Sequence, residues 1–186
     1  VGSEMCIETE NSFTVEQEGA FLKAKTESSN EIEIVAVVDG KIAGTAGIDA
    51  VGNKYKTKHR AEFGIGIAKE FWGLGLGRAL TEACIECAKE AGYTQLELDV
   101  VSDNASAISL YKKVGFVEYG RNPKGFNSRI SGYQELIYMK LDLKTTDTAK
   151  RALCKLSITP VSSQKNRADH QDLSLIHISE PTRLRC

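Results

Sequence analysis

The sequence has no surplus of charge of either sign. Its 24 Lys and Arg face 25 Asp and Glu, a formal net charge of −1. No basic excess points to nucleic acid, and no run of like charge marks a tail. No apolar stretch is long enough to cross a membrane. The first residues lack the charged-then-apolar pattern of a signal segment. Cys6, Cys84, Cys87, Cys154 and Cys186 are odd in number and scattered, a poor disulfide framework. These absences point to a reducing, cytoplasmic setting. Cys84 and Cys87 form a C-x-x-C pair with no second pair and no histidine nearby. They read as two small core residues, and no metal is expected.

What is present is an ordinary globular chain. Its 186 residues suit one domain, and 41% are apolar, enough for a core. Residues 13–28 read as a helix opened by a Thr14–Gln17 capping box. Residues 31–38 are β-rich, and Asp39-Gly40 signals a hairpin to a partner strand at 41–49. Residues 60–68 form the next strand. Gly64 and Gly66 inside it suggest a bulge or a close approach to the backbone.

A glycine-rich loop follows, then a helix to Gly92 with Ala79, Leu80, Ala83, Cys84, Cys87, Ala88 and Ala91 on one face. Residues 95–101 alternate as a strand, 104–114 form a short helix, and a strand near 116–119 leads into a polar loop at 120–132. Residues 133–141 make the last strand. The order describes a mixed α/β fold, a central sheet with flanking helices.

The run Phe71-Trp72-Gly73-Leu74-Gly75-Leu76-Gly77-Arg78 joins a strand to a helix. A helix N-terminus presents unpaired N–H groups and partial positive charge, and phosphate suits both. The Walker pattern needs Gly-Lys-Ser/Thr, which is absent. The dinucleotide pattern fails because its last glycine falls on Arg78 or Leu80. Further on, Asn104, Ala107, Ile108 and Tyr111 share one helix face, followed by Gly115-Phe116.

Together the two motifs resemble the GNAT superfamily of acyl-CoA N-acyltransferases over roughly residues 13–143. The family's Q/R-x-x-G-x-G/A signature falls on residues 72–77, with Trp72 as the departure, and N-x-x-A-x-x-L-Y-x-x-x-G-F matches from Asn104 to Phe116. The resemblance implies the GNAT fold, with a mostly antiparallel sheet. It implies transfer of an acetyl group from acetyl-CoA to a primary amine in a ternary complex. Strand 64–68 would splay from 96–101 and hold the pantetheine arm on backbone around Ile65, Gly66 and Ile67. The N–H groups of Gly73, Leu74, Gly75, Leu76, Gly77 and Arg78 would bind the pyrophosphate, and Asn104 the arm. Tyr111 would protonate the leaving thiolate, and Glu62 would take the amine proton, with His59 the alternative base.

The family fold opens with a strand and helix ahead of residue 13, so the N-terminus is expected to be truncated. Residues 173–183 resemble the translation of a transposase-type sequencing adapter, codon by codon. The expected organisation is a domain at 1–143 and an unstructured tail at 144–186, with 173–186 an artefact. The acceptor is expected to be a small-molecule amine bordered by the 120–132 loop, where Arg121, Lys124 and Arg129 suit a carboxylate-bearing amine or stand as solvated charges. A homodimer is compatible with the pattern. A non-catalytic acyl-CoA-binding domain and a nucleotide-binding regulatory domain are the competing readings.

Overall fold

The computed structural model of the chain describes residues 15–28, 30–143 and 173–177. Thr14 of the expected capping box, the residues before it, and the tail at 144–172 and 178–186 lie outside the described residues. Helix α1 (Val15–Glu27) precedes the hairpin β1 (Ile32–Val38) and β2 (Lys41–Ala50). Asp39 and Gly40 both have positive φ, 49° and 75°, the geometry of a two-residue turn matched to strand twist. Strand β3 (Arg60–Ile67), helix α2 (Leu76–Glu90) and strand β4 (Gln95–Val101) form a parallel crossover unit. Helix α3 (Ala105–Lys113), β5 (Val117–Ser128) and β6 (Gly132–Asp142) complete the body, and β7 is Leu173–His177.

The strand order is β5-β6-β4-β3-β2-β1-β7. Every neighbouring pair is antiparallel except β3–β4. This is the mixed, mostly antiparallel sheet expected.

One face of the sheet buries Ile48, Phe63, Leu96 and Met139 in one core with the buried residues of α2. The α2 stripe is centred further round than the alanine pattern suggests. Thr81 and Ile85 are buried with Leu80 and Cys84. The Thr81 hydroxyl donates to the Gly77 carbonyl at 2.6 Å, which removes the cost of burying it. Cys84 and Cys87 are buried and form no disulfide, and burial pushes the Cys84 thiol far up. On the other face, α1 is pinned by a lysine. Lys25 is only 2% exposed, and its ammonium donates to the Ile48 carbonyl at 3.2 Å and to Asp49.

One expectation changes. The polar loop expected at 120–132 is largely strand, because β5 runs to Ser128 along β6. Register breaks between Glu118 and Gly120 and between Asn122 and Phe126 absorb Pro123 and the tight approach at Gly125. A Cβ at Gly125 would sit 2.8 Å from Leu136. The long-range partner decides here, and local polarity does not reveal it. Within the segment expected as a tail, Leu173–His177 form β7. These five residues pair antiparallel with β1, from Ile34↔His177 to Val38↔Leu173. An outer strand offers a row of open backbone groups, and an uncharged apolar segment pairs with them whatever its origin.

Leu80 is fully buried where α2 meets the sheet. Leu80→Ala is expected to lower unfolding stability by about 2–5 kcal/mol, measured as a fall in urea midpoint. A loss under about 1 kcal/mol would place Leu80 outside the packed core.

Candidate active site

Strand alternation sends Ala61 and Phe63 toward the helices and Glu62, Gly64 and Gly66 to the opposite face. The β2–β3 register runs unbroken from Gly44↔Ile67 to Ala50↔Ala61, so the two glycines mark no bulge. A Cβ at Gly64 would meet nothing within 4 Å, which leaves that face open to an approaching group.

The other side of β3 behaves differently. It pairs with β4 through Arg60↔Gln95, Ala61↔Leu96 and Glu62↔Glu97, and the ladder stops there. Both strands continue, β3 to Ile67 and β4 to Val101. They diverge into a fork whose vertex carries Glu62 and Glu97, the splay that the resemblance implies.

Beyond Ile67 a single 3₁₀ turn, Lys69–Phe71, leads to Trp72. The Trp72 indole N–H donates to the Ile67 carbonyl at 2.9 Å and ties the loop to the end of β3. Gly73 and Gly75 have φ of +81° and +83°, where a side chain costs roughly 1–2 kcal/mol. Gly75 is the N-cap of α2. The first helical bond runs from the Ala79 N–H to the Gly75 carbonyl at 3.2 Å. The N–H groups of Leu76, Gly77 and Arg78 therefore precede the helical ladder, at the positive end of the helix. Such a cradle fits an anionic phosphate. The Arg78 guanidinium bonds Glu82 at 2.8 Å, so its contribution to the cradle is its backbone.

The three motifs converge. A Cβ placed on Gly77 would lie 3.2 Å from Leu110 Cδ2 and 3.4 Å from Ile67 Cδ1, so the cradle, α3 and the end of β3 share one contact. Asn104 is the N-cap of α3. Its Oδ1 accepts from the Ala107 N–H at 3.2 Å and from the Ser106 hydroxyl at 3.1 Å. Capping occupies the carbonyl end of this amide and leaves its NH2 end for other use. Tyr111 is buried, with its ring edge-on to Phe63 (6.2 Å, 88°) and 5.8 Å from Phe116. Phe63 is the first β3 residue past the last rung. Tyr111 thus reaches the vertex from the helix side, and Glu62 from the opposite face.

The charges around the vertex are uneven. Burial, helped by Asp99, Asp49 and Glu97, holds the Glu62 carboxyl above the usual range. Hydrogen bonds from Arg60 hold Glu97 below it, with Gln95 assisting. His59 is exposed at the closed end of the ladder, where its carbonyl accepts from the Thr94 and Gln95 N–H groups at 3.0 and 3.2 Å. Arg121 bonds both Glu118 and Glu135, and Lys124 lies over the Tyr133 ring at 5.3 Å. Sequence reading missed the Trp72 tether and the Arg60–Glu97 pair. Alternation places Arg60 beside Glu62, but only strand register shows which carboxylate it meets. Among the described residues no three His, Cys, Asp or Glu group as metal ligands. No helix there is long and apolar enough to cross a membrane.

A mixed sheet forked at its one parallel pair, with an anion cradle at the open end, defines an α/β architecture with a cleft beside a helix N-terminus. The family model for the Acetyltransferase (GNAT) family matches residues 4–116, and the chain belongs to that family. The chain is 35% identical over 108 residues to the L-amino acid N-acetyltransferase AaaT of Escherichia coli, covering 58% of this chain and 65% of that one. It is 44% identical over 55 residues to the mycothiol acetyltransferase of Paenarthrobacter aurescens, covering 30% of this chain and 17% of that one. It spans less than two thirds of the length of either relative. Among solved structures, a GNAT-family acetyltransferase from Streptococcus pneumoniae superposes with a TM-score of 0.67 at 33% identity, over 72% of this chain and 78% of that one. The phosphinothricin acetyltransferase of Sinorhizobium meliloti, solved with acetyl-CoA, shares the fold at a TM-score of 0.63 and 21% identity, over 70% of each chain.

A proton binds Glu62 more readily in the folded chain than in the unfolded one. This carboxyl therefore favours the fold at low pH and disfavours it as pH rises through the raised value. Glu62→Gln is expected to raise Tm by on the order of 1 °C at about pH 8, with the gain lost near pH 4. Thermal melts of both proteins at the two pH values check it, and an equal gain at both would contradict the assignment.

Proposed function

We propose that this chain transfers the acetyl group of acetyl-CoA to a primary amine by direct attack within a ternary complex. The observation that carries the reading is the fork. The β3–β4 ladder ends at Glu62↔Glu97 beside a glycine cradle that converges on α3. Acetyl-CoA, when bound, supplies the acyl group as an activated thioester. The N–H groups from Gly73 to Arg78 hold its pyrophosphate. Backbone around Ile65, Gly66 and Ile67 aligns the pantetheine arm in the opened ladder, as an added strand would pair. The Asn104 NH2 group, left over by the cap, binds the same arm.

Glu62 takes the proton that the acceptor nitrogen must lose to stay attached to the acyl carbon. Its raised proton affinity brings it closer to the working range of a base than an ordinary carboxylate. Tyr111 donates its hydroxyl proton to the sulfur as the carbon–sulfur bond breaks, and the packing of its ring limits where that hydroxyl can go. His59, at the closed end of the ladder, is the less suitable base. The groups named all lie before residue 144, which makes that segment the catalytic unit of this proposal.

The acceptor in this reading is a small-molecule amine. It is supported by a relative named for L-amino acids. Two glutamates already answer Arg121, which lessens its claim on an acceptor carboxylate. Two buried cysteines outside any disulfide fit a cytoplasmic setting, and solution mass measures whether the chain assembles as a homodimer.

Thiol release from acetyl-CoA across a panel of amines tests the activity. Binding of acetyl-CoA with no thiol release on any amine would favour a non-catalytic binding domain, and release that does not depend on amine would show hydrolysis instead of transfer. Tyr111→Phe is expected to lower kcat by about 10²-fold or more, the scale of a lost general acid, with acetyl-CoA affinity little changed. Steady-state kinetics with a binding titration checks both halves, and an unchanged kcat would remove Tyr111 from the mechanism.

A further inference from the structure

Glu97 stands at the vertex directly across the register from Glu62, yet its carboxylate is engaged in another direction. Arg60 grips both of its oxygens, Nε to Oε1 and Nη2 to Oε2 at 2.6 Å. Gln95 adds a hydrogen bond from Nε2 at 2.8 Å. Arg60 and Gln95 form the first rung of the ladder, and Glu62 and Glu97 the last. The bonds therefore draw the Glu97 charge back toward the closed end of the ladder. They also tie β3 to β4 just before the two strands part. The Glu97 side chain is 11% exposed and that of Arg60 35%, so solvent screens this pair less than a surface pair.

The other charged neighbours do not duplicate it. On β2, Asp49 faces Glu62, and Lys25 from α1 holds Asp49. On β6, Lys140 stands opposite Glu97 but bonds Asp142 at 3.2 Å. Asp99 of β4 faces Tyr138 of β6, whose ring packs 6.1 Å from Tyr119 of β5. Glu33 of β1 lies over Gly47, one strand further out. Arg60 is the cation hydrogen-bonded to Glu97, and His59, just before it on the chain, adds a weaker attraction without a bond.

We propose that Arg60 and Glu97 are positioning residues for acetyl transfer: the pair pins the vertex of the fork and fixes the charge that Glu62 faces. Neither touches the reacting atoms. The inference rests on the reading of Glu62 as the base.

Breaking the pair from its two ends has opposite consequences. Arg60→Gln leaves the Glu97 charge facing Glu62, which disfavours ionisation and moves the Glu62 titration to higher pH. Glu97→Gln removes that charge and moves it to lower pH. Each shift is expected to be about half to one pH unit, the effect of one charge across a ~4.8 Å interstrand spacing. The double variant returns close to the parent. Arg60→Lys keeps the charge without the two-pronged grip and gives a smaller upward shift, which guards against misfolding of Arg60→Gln.

The experiment is a carbon-13 NMR titration of the Glu62 carboxyl in the full chain, with the signal assigned by Glu62→Gln. The acid limb of kcat/KM is followed alongside, using acetyl-CoA and an amine found in the thiol-release panel. Shifts of opposite sign, tracked by the acid limb, support the inference. A purely structural pair would lower activity in both variants without moving the midpoint. That result, or two shifts of the same sign, overturns it. An acid limb that survives in Glu62→Gln instead overturns the base reading, and with it the catalytic meaning of the pair.

Discussion

Between β3 and β4 the ladder closes three rungs, from Arg60 to Glu62, and then lets the strands part. Backbone N–H and C=O groups inside a sheet need partners, so a ladder that stops early inside a protein body sets a problem. Part of the answer is internal: the Trp72 indole N–H serves the Ile67 carbonyl. The fork otherwise suits an extended group with amide bonds of its own. The parallel direction of this pair follows from the α2 crossover. The same crossover brings the N-terminus of α2 to the open end of the fork. Cleft and anion cradle are thus two results of one connection.

The cradle is built from backbone, and that determines what it tolerates. Gly73 and Gly75 supply conformations that cost other residues strain, while the outward character of Trp72, Leu74 and Arg78 matters less. This explains how Trp72 stands where the family pattern has Gln or Arg. An indole N–H can tie the loop to β3 as a polar side chain would. The vertex, by contrast, is lined by side chains. Tyr111 is wedged between Phe63 and Phe116, and Glu62 stands in a set of carboxylates partly answered by Lys25 and Arg60.

Features encoded within a few residues were legible in the sequence. Asp39-Gly40 forms its turn, the glycine loop opens α2, and Asn104 begins α3. The Asn104 pattern carried more than one meaning, because its oxygen caps the helix and only the amide nitrogen is left over. Features that depend on distant segments were not legible. The length of β5 is set by β6, the burial of Lys25 by its partners on β2, and the Arg60–Glu97 bond by the register of two strands separated by a helix. Thr81 reads as polar until its hydroxyl is seen to bond the preceding turn.

The division between backbone and side chain also bears on what members of one family share. A cradle of left-handed glycines and first-turn N–H groups depends little on side-chain identity, so the same donor can be held while the surrounding residues change. The acceptor side has no such freedom. Its chemistry depends on which charges face the vertex, and those are set by pairings such as Lys25–Asp49 and Arg60–Glu97 on the face away from the core. A substitution at Arg60 changes the environment of Glu62 without altering a single residue of the cradle. If Glu62 is the base proposed above, acceptor chemistry is governed by ion pairs beside the fork, and donor binding by the fork itself.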